Sequence, residues 1–435
     1  MNGSRRVMRT GWAALGAATI VLAAACSAST GGGPGTGGDG EFAVGPGIDP
    51  ANKTITVGEI SILSGPAGVI GKPLTAGLST YLNAVNDSGG IDGWKIKTDI
   101  QDSKYSAALS AQLFATMSSN VAVIAQSLGS PTTHAFDAKA AADNIVVGTA
   151  AQDSTFVTKP NNAVIGTPYA AEAANSVAHI AKQKPGAKVA IFYQNDAFGA
   201  DGKRGYDAAV AAGGLENVEE VTYTAESTTP NFTSQVQQLR DSGAEYVFVV
   251  ATPQPTSTLI KTAASSGFKP QWVLQSPAWS EFLMSSTGTP AGTPTDAAAV
   301  LTGAWVGGYT ALWGDRSVPG MAIFLERTTK YAPDQAPSTQ YLYGYCMARM
   351  ITAILQKAIA NKDLTRAGIM DAKLHLGKVG FDGLMPDAHY RPDLGPASRQ
   401  STLYRVDPAA TGNGYLTSMT PFTESEAAKS LRLGG

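Results

Sequence analysis

The chain has 435 residues, of which 15% are charged and 43% apolar, with a formal net charge of −2. That balance argues against a basic nucleic-acid-binding surface, and the length suits two domains of ordinary size. Its two cysteines, Cys26 and Cys346, give no disulfide framework, so stability must come from core packing.

The chain opens with Arg5, Arg6 and Arg9, and an uncharged apolar stretch then runs from Trp12 to Ala25. A bilayer span needs roughly 20 apolar residues. This stretch is shorter, and its basic, apolar and small-residue order is that of a secretory signal. The run Leu22-Ala23-Ala24-Ala25-Cys26 resembles a bacterial lipoprotein cleavage site, although Ala23 stands where leucine is more usual. At such a site the cysteine is lipidated and becomes residue one; the alternative is an ordinary signal with an incidental cysteine. Ser4-Arg5-Arg6 hints at twin-arginine export, a pattern that Met8 and Arg9 fit poorly. Residues 1–25 are thus expected to be a signal peptide and Cys26 the lipidation site. Residues 26–50, mostly Gly, Ser, Thr, Ala and Pro, are expected to be a flexible tether. The expected location is the extracytoplasmic face of a bacterial cell membrane.

From Thr54 strands and helices alternate. Ile55, Val57, Ile60 and Ile62 mark a strand that ends at Ser64-Gly65-Pro66. Leu74, Leu78, Tyr81, Leu82 and Val85 recur at helical spacing, and Asn86 to Gly90 stop that helix. Trp94, Ile96, Thr98 and Ile100 alternate as a strand, Leu109, Leu113 and Met117 stripe a helix, and Val121 to Ala125 read as a buried strand. Ser130-Pro131 opens the next helix, with serine as the expected N-cap, and Ile145 to Val147 returns to strand. A similar series starts at Val189, with further strands at 219–223, 246–250 and 272–274 and helices from about Asp201, Asn231 and Pro255. Two βαβα series predict two α/β lobes with parallel sheets. A long helix near Gln340 to Asn361 follows, carrying Cys346 as a buried free thiol, and then a mixed tail.

Ligands of open parallel sheets bind where loops leave the carboxyl ends of the strands. The loops in question are 64–71, 102–105, 127–133, 150–153, 195–199, 252–254 and 276–279. Gly65, Gly68 and Gly71 do not make a dinucleotide turn, and Pro66 stands where one needs a free backbone. Neither a phosphate-binding G-x-x-x-x-G-K-[ST] nor a G-x-S-x-G nucleophile elbow is present. His134, His179, His375 and His389 show no metal-binding spacing, so no metal and no cofactor is expected. A charge-poor cleft rich in Ser, Thr and aromatic residues suits holding a small molecule better than reacting with it.

Several motifs together resemble the branched-chain amino-acid binding family, the substrate-binding components of ABC importers. They are Ser64-Gly65-Pro66 with Gly71, Asn86 to Gly90 followed by Ile91-Asp92-Gly93, and Asp102. Phe198-Gly199, Tyr223 through Asn231-Phe232 to Leu239, and Gly380-Phe381-Asp382-Gly383 complete the set. The resemblance covers Thr54 to Thr417 and implies a type I periplasmic-binding fold, in which two doubly wound Rossmann-like lobes are joined by a three-strand hinge. It divides the chain into one lobe of 51–168 and 310–385 and another of 169–309 and 386–435. The crossings fall near 165–169, 305–309 and 384–393, and the lobes close around ligand.

The resemblance also suggests site residues. Ser130 corresponds to the serine that binds the ligand carboxylate, or else only caps its helix. The Ala150 backbone and Gln152 follow on the next loop, with glutamine where threonine is usual. Phe198 replaces a stacking tyrosine, or merely packs its loop. Where amino-acid-binding relatives place an acidic residue for the ligand ammonium, residues 275–279 have none, and Glu281 is the nearest. A buried ammonium would be poorly compensated there, which argues against an ordinary branched-chain amino acid. Trp279 is a candidate wall or cation seat, or a core residue. Ser64, Tyr105, Tyr309 and Tyr341 are further candidates for the lining. The expected protein is a monomeric, non-enzymatic lipoprotein that passes a small polar or amphipathic ligand to an ABC permease. A sensing receptor for a membrane signalling partner is the alternative, and a hydrolase a distant one.

Overall fold

The computed structural model describes residues 42–65, 67–225 and 231–434. The signal segment, Cys26 and Pro66 lie outside them. The folded body starts earlier than the tether expected over 26–50 allows. Ala43–Val44 pairs in parallel with Asp363–Leu364, and Ile48–Asp49 pairs with the strand Thr54–Ser61. Gly47 lies so close to Val121 and Ala122 that a Cβ there would sit 2.3 Å from the Ala122 nitrogen.

The first sheet runs Lys95–Asp102, Thr54–Ser61, Val123–Ser127, Val147–Thr149 and Asn162–Val164, all parallel. The second runs Glu216–Tyr223, Lys188–Gln194, Tyr246–Val250, Gln271–Leu274 and Trp305–Gly308, again parallel. Its far edge gains two antiparallel strands from the tail, Thr402–Val406 and Leu416–Ser418. Numbered within each lobe, both sheets have the strand order 2-1-3-4-5. Each therefore has a switch point between its first and third strands, where outgoing connections part to opposite faces and leave a crevice.

Two long helices fill the first lobe. Thr339–Ala360 is buried on almost every side and lies against Gly68–Asp87. Two glycines permit the contact: a Cβ on Gly77 would meet the Tyr341 carbonyl oxygen at 1.9 Å, and one on Gly344 the Leu74 oxygen at 1.9 Å. Cys346 is a buried free thiol in this helix, its pKa pushed well up by burial.

The chain passes between the lobes after Val164, before the helix Tyr169–Gln183, and again after Gly308, since Tyr309, Ala311 and Trp313 pack into the first core. Ala388, Tyr390 and Ala397 also pack there, whereas Leu403 and Tyr404 belong to the cores of the second lobe. The third passage thus lies between Ala397 and Leu403, later than the boundary at 385 implies. The short antiparallel pair Gly377–Val379 and Ala388–Tyr390 holds that segment to the first lobe.

The candidate ligand cleft

Loops from the two switch points face each other across a closed cleft. From the first lobe come Ile62, Ala67 and Ile70 after the first strand, and Leu128, Gly129 and Ser130 after the third. Tyr105 and Ala150 extend that side. The second lobe contributes Phe198 after its first strand, Thr252 after its third, and Pro277. Tyr169 and Tyr309 enter from the hinge passages, and Gln340 from the head of the long helix. The free space they enclose is about 40 Å³, and no charged side chain lines it among the described residues.

Ser130 is the first residue of the helix Ser130–Ala142, and Gly129 takes the cap position at φ +95°. The capping bond expected of Ser130 is not made: its hydroxyl is buried and has no partner among the described residues. A buried hydroxyl at a helix N-terminus, beside unpaired backbone N–H groups, is a ready seat for an anion or other acceptor.

Tyr105 joins the lobes. It follows Lys104 in the left-handed region, with φ +63° and +54° respectively. Consecutive non-glycine residues there store strain that the surroundings must hold. The Tyr105 hydroxyl accepts a bond from Gln194 Nε2 of the second lobe at 3.0 Å, and Gln194 Oε1 accepts from the Tyr223 hydroxyl at 2.8 Å. The ring leaves no space for a side chain at Gly129, whose Cβ would lie 2.7 Å from it. Burial raises the pKa of Tyr105, so the hydroxyl stays neutral. On the opposite wall Phe198 meets Tyr169 edge-on at 4.8 Å. Asp196 caps the Phe198 helix, its Oδ1 accepting from the Gly199 N–H at 3.1 Å.

Other singled-out residues turn elsewhere. Gln152 is buried behind the cavity, where its Nε2 donates to the Tyr343 hydroxyl and its carbonyl accepts from the Tyr169 N–H at 2.7 Å. Trp279 faces a smaller void of about 10 Å³ behind Tyr309 and Gln340, and its Nε1–H has no partner among the described residues. Tyr341 belongs to the first core, its hydroxyl 2.6 Å from Thr80 Oγ1. Ser64 is exposed on the far side of the loop and donates to Asp102 Oδ2 at 2.6 Å. Glu281 reaches across to the first lobe, accepting from the Thr339 N–H at 3.3 Å. Burial pushes its pKa up to about 7.

Sequence reasoning flagged the loops of Thr252 and Pro277 without singling out either residue. Nothing local marked Gln340, or Glu172 beside the cleft. Glu172 is wholly buried in the first turn of its helix, and its two oxygens take the Ser276 N–H and hydroxyl, each at 2.7 Å. Burial outweighs those bonds and raises its pKa to about 7. The carboxyl fixes the loop that carries Pro277.

A bilobal α/β chain whose facing switch points enclose a cavity has the architecture of a solute-binding protein. Residues 54–413 match the periplasmic binding protein family, and the chain belongs to it, as a type I member of the branched-chain amino-acid group. Leu/Ile/Val-binding protein homolog 7 of Brucella suis biovar 1 is 23% identical over 337 residues, 72% of this chain and 79% of that relative. A fatty acid ABC transporter substrate-binding protein from Thermomonospora curvata superposes with a TM-score of 0.81 at 27% identity, covering 90% of this chain and 97% of that one. A branched-chain amino acid ABC transporter protein from Thermus thermophilus, solved with bound valine, shares the fold. Its TM-score is 0.74 at 17% identity, over 86% of this chain and 98% of that one. The chain is a substrate-binding protein of the ABC transporter type.

Proposed function

We propose that this is an extracytoplasmic solute receptor, anchored by lipid at Cys26, that captures a small amphipathic carboxylate between its lobes and delivers it to an ABC permease. The observation that carries this reading is the Ser130 hydroxyl at a helix N-terminus, unpartnered among the described residues and inside a cavity where none of them brings a charged side chain. An anionic head finds donors there, while Ile62, Ile70, Leu128 and Phe198 offer an apolar wall. An α-ammonium finds no counter-ion in the lining. The nearby buried carboxyls of Glu172 and Glu281 already accept bonds from Ser276 and Thr339. The fatty acid relative supports this choice over the Leu/Ile/Val-binding ones. Catalysis is not part of the reading. His134 pairs with Asp153 at 2.9 Å on the next turn, but the Ser130 hydroxyl bonds to neither.

A matched pair of ligands tests the proposal. Leucine and 4-methylpentanoate share a carbon skeleton and differ only in the ammonium group. The carboxylate is expected to raise the melting temperature, a ligand at a hundred times its Kd adding about 2.7 kcal/mol. Leucine is expected to do nothing. The reverse result would dispose of the carboxylate assignment. The anchor is tested separately in cells: Cys26→Ser is expected to abolish incorporation of labelled palmitate.

A further inference from the structure

Outside the cleft a groove of about 670 Å³ runs along the outer side of the first turn of Gly68–Asp87. We propose that it houses the unbranched aliphatic tail of a ligand whose carboxylate head sits at Ser130. The inference rests on the carboxylate reading above and adds the ligand's shape.

Size points to it first. Pockets for drug-sized ligands hold roughly 300–1,000 Å³. The inner cavity, at about 40 Å³, is far below that range and the groove is within it.

Adjacent residues of the chain line the two spaces on opposite sides. Ile62 and Ala67 line the inner cavity, whereas their neighbours Leu63 and Gly68 line the groove. Across the way Gln340 belongs to the cavity and Ser338 to the groove.

The lining suits an alkyl chain. Val69, Pro73 and Ala76 of the first lobe and Phe282 of the second make an apolar stripe in it, rimmed by the charged side chains of Lys72, Glu281 and Asp334. Phe282 is 42% exposed and, among the described residues, is one of only three large apolar side chains left open to solvent. One exposed apolar side chain alone is ordinary, but a contiguous apolar patch rimmed by polar residues is the pattern of a ligand-binding groove. Gly288, at φ +69°, lies beside the Phe282 ring, and a Cβ there would stand 3.1 Å from it. Because the walls belong to different lobes, a tail between them touches both only when the lobes are closed, so its burial favours closure.

The test is a chain-length series on the intact protein, with calorimetric titration of butanoate, hexanoate, octanoate and decanoate. Wild type is expected to bind roughly fourfold more tightly for each methylene buried beyond the inner cavity. Phe282→Ser and Val69→Asp are expected to leave butanoate affinity unchanged and to flatten that gain. Phe282 is exposed, so its variant folds even if Val69→Asp does not. An undiminished gain in Phe282→Ser, or no gain with length in wild type while butanoate binds, overturns the groove assignment alone. If wild type binds no member of the series, the carboxylate reading falls and the groove assignment with it.

Discussion

Ser130 carries two separable consequences. Its hydroxyl has no partner among the described residues, so Ser130→Ala removes a buried unsatisfied group and is expected to leave the ligand-free melting temperature unchanged or slightly higher. A serine that capped its helix would instead lose about 1 kcal/mol of stability on the same change. Affinity for a carboxylate is expected to fall about tenfold or more, the worth of a hydrogen bond to a charged acceptor being about 1.5–3 kcal/mol. Thermal melts and titration on one preparation measure both, and a destabilised variant with normal affinity would restore the capping role. The cleft was legible in the sequence where a loop position alone decides the matter. Ser130, Ala150 and Phe198 follow strand ends and line the cavity, and Tyr105 and Tyr309 do so too. Loop position does not set the direction of a side chain, and Gln152 and Trp279 point away from the cavity. Tyr341 stands on a helix with no solvent-facing side near its start, so its aromatic ring went to the core.

Helix Thr339–Ala360 links fold to site, because Gln340 at its head lines the cleft while its body fills the first core. Its seating depends on Gly344. Gly344→Ala brings a methyl to 1.9 Å from the Leu74 carbonyl oxygen, a backbone atom that cannot swing aside. The two helices must move apart, at an expected cost of roughly 1–3 kcal/mol. Urea unfolding is expected to show a lower midpoint with an unchanged slope. An unshifted midpoint would mean that the helix pair relaxes without strain. Alternation of apolar runs revealed the strands, since parallel strands covered on both faces read as continuous hydrophobic segments. The glycine contact was invisible, because Gly344 and Leu74 are far apart in sequence and nothing near either one names the other. The edge strands at 402–406 and 416–418 were equally hidden, being short and antiparallel within a tail that lacks helical punctuation.

Both sheets repeat one strand order, so the lobes present equivalent crevices to each other and closure brings polar groups from the two sides together. Among the described residues, two carboxyls bond across the divide. Glu281 of the second lobe accepts from the Thr339 N–H, and Asp201 accepts from the Ser154 N–H at 2.9 Å and hydroxyl at 2.8 Å. Burial raises Glu281 from 4.5 to about 7 and, with the nearby charge of Asp153 adding to the effect, Asp201 from 3.8 to about 6. Opening the lobes takes the first-lobe cover off both and is expected to return them toward their ordinary values, with Asp201 keeping Arg204 at 2.8 Å and the Ala170 N–H at 3.2 Å from its own lobe. A group whose pKa is higher in the closed state takes up a proton on closure. Closure is therefore favoured as pH falls through about 7 for Glu281 and about 6 for Asp201, and the gain is complete once pH is below the open-state values. Ligand affinity is expected to rise between pH 8 and pH 6, by at most about tenfold per pH unit for each group fully titrating. Glu281→Gln imitates the protonated form and is expected to flatten the upper part of that profile while keeping high affinity at pH 8. Titrations across this range decide the matter, since affinity that falls on acidification above the ligand's own pKa would show that these carboxyls stabilise the closed state as anions instead.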